Sequence, residues 1–137
     1  MSSRLGVIQM HYTDLIPGIK SNNAVELLVQ SNIVDHVVIA AADMEENRCL
    51  NDYAALWGCD IYFGSVENVT DRVNAVATEY DAHAILRVLP QWYFIDVNLI
   101  ESMFVLLESS DGDYCSLPRD FDIRFGGDVF SKRFIET

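Results

Sequence analysis

The sequence predicts an α/β protein, a three-layer α/β/α sandwich around a mainly parallel, Rossmann-like sheet. Two observations carry that prediction. Short apolar runs start near residues 5, 37, 60 and 84 and alternate with segments of helical period. Val37-Val38-Ile39-Ala40-Ala41 is apolar without alternation, as a strand covered on both faces must be. Successive strand–helix–strand units require crossovers of one hand and helices on both sides of the sheet. At 137 residues the chain forms a single domain, 1–137, with no internal repeat or linker.

Each element has its own signal. Leu5 to Gln9 reads as the first strand, and a helix fills Asn23 to Gln30. The second strand follows at Val37 to Ala41. Leu50, Tyr53, Ala54 and Trp57 then recur at i, i+3, i+4 and i+7 on one helix face. Asp43 and Glu46 have capping-box spacing at the start of that helix, and Gly58 is its stop. Ile61-Tyr62-Phe63 is a third strand, and Val69, Val73, Val76, Ala77 and Tyr80 form a second helical face. Ala84 to Leu89 is a fourth strand. Ile100, Met103, Phe104 and Leu107 form a further stripe, with Asp96 as its N-cap. These Met and aromatic stripes read as core. Beyond Gly112, the segments 113–116, 122–125 and 128–130 read as short strands, with a hairpin turned at Gly126-Gly127.

Composition narrows the function. Half of the residues are hydrophobic and 22% are charged, which suits a folded core. A net charge of -12 repels phosphate backbones, so nucleic acid is excluded as a partner, while a basic protein partner would be attracted. No apolar run approaches the roughly 20 residues that cross a bilayer, and no membrane association is expected. The amino terminus lacks a signal-peptide pattern, so a cytoplasmic location is expected. Cys49, Cys59 and Cys115 share no CxxC spacing, which argues against a disulfide framework or a zinc site. His11, His36 and His83 lack any metal-ligand spacing.

In such a sheet, ligands bind beyond the carboxyl ends of the strands, here after Gln9, Ala41, Phe63 and Leu89. Around those points stand Ile8-Gln9, Ile16-Pro17-Gly18-Ile19-Lys20, the run from Val34 to Asp43, and Phe63-Gly64-Ser65-Val66-Glu67-Asn68-Val69-Thr70-Asp71-Arg72. Arg87 and Ile95-Asp96 follow in order. Together these resemble the amino-terminal part of the cytidylyltransferase family, which includes spore-coat polysaccharide biosynthesis proteins and CMP-sugar synthetases. The resemblance implies a nucleotide-diphospho-sugar transferase-like fold and nucleotide contacts at Lys20, Gly64, Ser65, Arg72 and Arg87.

The departures from that pattern fall on the chemistry. The family's first loop is rich in Arg, Gly and Ser; here Met10-His11-Tyr12-Thr13-Asp14-Leu15 has no Arg, and Asp14 would repel a phosphate. The family pattern after the fourth strand is Gly-Asp-Cys-Pro, whose Asp holds Mg²⁺. Here the residues are Pro90-Gln91-Trp92-Tyr93, and an amide is a poor Mg²⁺ anchor. Asp111-Gly112-Asp113 and Asp120-Phe121-Asp122 have the DxD form but lie away from that strand end. The expected function is therefore a degenerate cytidylyltransferase-like domain without catalytic or metal-binding residues and without a cofactor. It would act as a binding or assembly module in sugar modification, docking a protein partner or a second copy at Trp92, Tyr93 and Phe94. The alternatives are nucleotide binding without turnover, or an active transferase that uses Mg²⁺ on a displaced Asp96 or Asp122.

Overall fold

The computed structural model describes residues 3–136. Six strands form one sheet in the order β3-β2-β1-β4-β6-β5. These are β1 (Arg4–Gln9), β2 (His36–Ala42), β3 (Asp60–Gly64), β4 (Ala84–Val88), β5 (Tyr114–Cys115) and β6 (Asp128–Ser131). The first four run parallel, β6 runs antiparallel to β4, and β5 closes the edge antiparallel to β6. Helices α1 (Asn23–Ser31), α2 (Leu50–Trp57), α3 (Val69–Glu79), α4 (Val97–Ser109) and α5 (Lys132–Glu136) complete the chain.

Strand alternation divides the core in two. Ile8, Ile39, Ala41, Leu86 and Val88 face α1, α2 and α4, whereas Leu5, Val7, Val38, Ala40 and Ile85 face α3. The sheet is thus covered on both sides, which is why β2 tolerates no polar residue over 37–41. The order reverses between β1 and β4, and that pair marks the switch point.

Caps agree with the sequence at Asp96 and Gly58. The Asp96 side chain accepts from the amides of Asn98 and Leu99 at the start of α4, Gly58 ends α2 at φ 74°, and Asp111 follows α4 at φ 54°. Two expectations are corrected. Asp43 and Glu46 form no capping box: a 3₁₀ turn over Glu45–Cys49 precedes α2, and Asp43 pairs with Arg48 instead. The segment 122–125 is no strand; Ile123–Phe125 is a 3₁₀ turn, and β6 pairs with β4 and β5 rather than folding back at the glycines. A Cβ on Gly127 would lie 2.6 Å from the Arg87 carbonyl oxygen. Glycine there permits close approach of two strands and makes no turn.

Candidate functional site: the carboxyl edge of the sheet

The loops after β1 and β4 flank the switch point, and their side chains tie them together. After β1, Tyr12–Asp14 forms a 3₁₀ turn in which the Asp14 carboxylate accepts from the His11 amide at 2.8 Å. The other Asp14 oxygen accepts from Gln91 Nε2 at 2.6 Å, across the mouth between the two loops. Fully buried Asn47 joins a third loop, accepting from the Tyr12 amide at 2.9 Å and donating to the Ala42 carbonyl at 2.9 Å. Asn22 Nδ2 donates to the Pro90 carbonyl at 3.1 Å, Asn23 Nδ2 donates to the Tyr93 carbonyl, and Trp57 Nε1 donates to the Lys20 carbonyl at 2.8 Å. Beneath these ties Trp92 is only 8% exposed and belongs to the core. About 20 Å³ of space remains among Met10, Asp14, Trp57 and Tyr93, room for a single water.

Solved structures share this fold. A cytidylyltransferase from Leptospira borgpetersenii superposes with a TM-score of 0.82 at 18% identity, covering 98% of this chain and 62% of that one. The CMP:2-keto-3-deoxy-manno-octonic acid synthetase, solved in complex with CTP, gives 0.75 at 12% identity, covering 98% and 76%. The 4-diphosphocytidyl-2C-methyl-D-erythritol synthase from Anaerococcus prevotii gives 0.61 at 10%, covering 96% and 71%. The fold is that of the cytidylyltransferases. The chain spans 62% of the length of the Leptospira protein, and no family model and no curated protein matches its sequence.

Within that fold most of the residues expected to contact nucleotide are engaged elsewhere, and only Arg72 packs beside Gly64. Lys20 is exposed, ahead of α1, and its carbonyl is held by Trp57. Gly64 ends β3, and the Ser65 hydroxyl accepts from the Asn68 amide at 3.1 Å, inside its own loop. Arg87 is committed to the antiparallel seam, donating to Asp128 at 2.6 Å and to Gln9 at 3.2 Å. Tyr114 donates to the same Asp128 carboxylate at 2.9 Å. Arg72 stands apart. It is 9% exposed, its side chain has no hydrogen-bond or ion-pair partner among the described residues, and its Nε is buried. Burial pulls its pKa below the usual guanidinium value. Its Cγ lies 3.0 Å from where a Cβ on Gly64 would stand. Arg72 is bridged to neither Asp71 nor Glu67.

The resemblance drawn from the sequence calls for Mg²⁺ at the end of β4, and the residues there do not fit it. Gln91 turns an N–H donor toward Asp14, and both Asp14 oxygens already accept hydrogen bonds. The displaced carboxylates are engaged too. One Asp96 oxygen caps α4, and Asp122 is gripped by Arg124, which holds its carboxyl at about 2. Of the DxD pairs, Asp113 and Asp111 both bond Arg133.

Trp92, Tyr93 and Phe94 divide between two roles. Trp92 fills the interior, while Tyr93 and Phe94 are exposed. Phe94 contacts Phe125 at 6.1 Å between ring centroids, and Phe125 meets Phe121 edge-on at 6.0 Å. Sequence reasoning missed Phe121, Phe125 and the stitching asparagines, since nothing local marks them. A groove of about 1030 Å³ lies at the opposite edge, where Arg4 and His83 bond Glu108 and Arg133 bonds Asp111. The carboxyl edge, where the fold places its chemistry, remains the candidate site.

Proposed function

We propose that this domain keeps the cytidylyltransferase fold as a binding module and does not transfer nucleotides. It would serve a partner in polysaccharide or sugar-modification biosynthesis, in the cytoplasm, where its three free cysteines stay reduced. One observation carries this reading. The Gln91–Asp14 hydrogen bond at 2.6 Å bridges the loops at the switch point, over a buried Trp92, where a triphosphate and its cation would have to lie. Phosphoryl chemistry of this kind needs positioned cations and amides at the reacting phosphorus, and an acidic bridge supplies the opposite charge.

Titration of CTP by calorimetry, with and without Mg²⁺, followed by an assay for pyrophosphate release, tests the proposal. No turnover is expected. Sustained pyrophosphate release would refute it. Nucleotide binding without turnover is the second reading, and buried, unpartnered Arg72 beside Gly64 is the observation that favours it. Binding in the titration that disappears in Arg72→Met would select that reading.

A further inference from the structure

We infer that the exposed aromatic surface beside the closed cleft docks a basic amphipathic segment of a partner protein, an inference that rests on the binding-module reading. Three rings form the surface: Phe94 at 55% exposure, Phe121 at 45% and Phe125 at 40%. They touch in series, and Phe125 is fixed to the start of α4 because its carbonyl accepts from the Asp96 amide. An apolar cluster of this kind, presented on tied loops, is a preformed anchor surface and not a frayed loop.

Charge selects the occupant. The acidic groups within two residues of the rings are Asp96, Asp120 and Asp122; the basic ones are Arg119 and Arg124. Arg124 is held by both Asp122 oxygens and lies 5.5 Å over the Phe94 ring, so its charge is already balanced. Asp96 meets only backbone amides, and Asp120 has no partner among the described residues. The rim is therefore net negative, on a chain of net charge -12. A second copy would bring the same negative field and be repelled, as would phosphate-bearing ligands. A helix with Leu or Phe on one face and Lys or Arg on its flanks matches both the rings and the rim.

The test uses a defined probe, a Leu/Lys peptide of about 18 residues, five helical turns, with one apolar face. Its Leu/Glu counterpart is the charge-reversed control. Fluorescence anisotropy should show binding of the Lys peptide that weakens as salt rises from about 50 to 300 mM, and none of the Glu peptide. The double variant F94S/F121S changes exposed positions only and should keep its circular dichroism. It should bind the Lys peptide at least about tenfold more weakly. Unchanged binding by that variant would overturn the inference, because the acidic surface at large would then be responsible. So would equal binding of the Glu peptide, no binding at all, or self-association on sizing that F94S abolishes. None of these outcomes bears on pyrophosphate release, so the inference and the non-transferring reading can fail separately.

Discussion

Arg72 is the residue whose environment and charge disagree most. Its Nε is shut from water without a partner, which is destabilising, and nothing among the described residues compensates it. Methionine keeps the length and removes the charge. Arg72→Met should therefore leave stability unchanged or raise it by about 1 kcal/mol, read from the urea midpoint. A clear loss would mean that the guanidinium has a favourable partner. Sequence spacing could not reveal this burial. The expected stripe on α3 began at Val69, yet Val69 is exposed and the buried set is Arg72, Val73, Val76 and Ala77. A buried arginine and a solvated one look alike at helical spacing. Gly127 is the opposite case, a residue with no side chain and a strict steric role. Gly127→Ala would drive a methyl against the Arg87 carbonyl oxygen at 2.6 Å and the side chains of Leu86 and Val88. It should cost about 2 kcal/mol in the same assay.

At the scale of elements, β1, β4 and α4 are clasped by one carboxylate. Glu108 of α4 accepts from Arg4 Nη2 at 2.6 Å and bonds His83, just ahead of β4, at 2.7 Å. Those two partners, Arg4 first, hold the Glu108 carboxyl below its ordinary value. A depressed carboxylate contributes stability above its unfolded pKa, and that contribution is lost as pH falls through the folded one. Glu108→Gln should therefore be less stable than the wild type by on the order of 1 kcal/mol at neutral pH. The gap should close below about pH 4, measured as thermal midpoints across pH 2–7. A gap that stayed constant with pH would show that the clasp works by packing. The elements themselves were largely legible. All four parallel strands start within one residue of expectation, because each is centred on a short apolar run. The entry to α2 and the carboxyl-terminal strands were not. Asn47 reaches back to the Ala42 carbonyl and winds 45–49 into a 3₁₀ turn, a contact invisible in the Asp43/Glu46 spacing. The glycine pair looked like a turn because glycine's two uses, positive φ and close approach, leave the same letter in a sequence.

At the scale of the molecule, the architecture was readable and the state of its cleft only half so. The loss of charge-bearing residues at the first and fourth loops was written in Asp14 and Gln91, but not that the two would bond each other. Nor did local sequence separate Trp92, which turns inward, from Tyr93 and Phe94, which do not. Only the packing of α1, α2 and α4 around that indole decides it. Trp92→Ala should lower stability by about 3 kcal/mol, followed by guanidinium denaturation. A loss below about 1 kcal/mol would mean that the ring lies loosely in an open cleft.

The placement of β6 also governs how the chain is made. Its pairing with β4 supplies that strand's outer neighbour, although β6 leaves the ribosome long after Val88. At about 5–20 residues per second, the outer backbone amides of β4 remain uncovered for seconds during translation. Nascent chains crowded on one messenger can pair through that flank before Phe130 arrives, so yield on expression should depend on chaperone supply more than native stability would suggest.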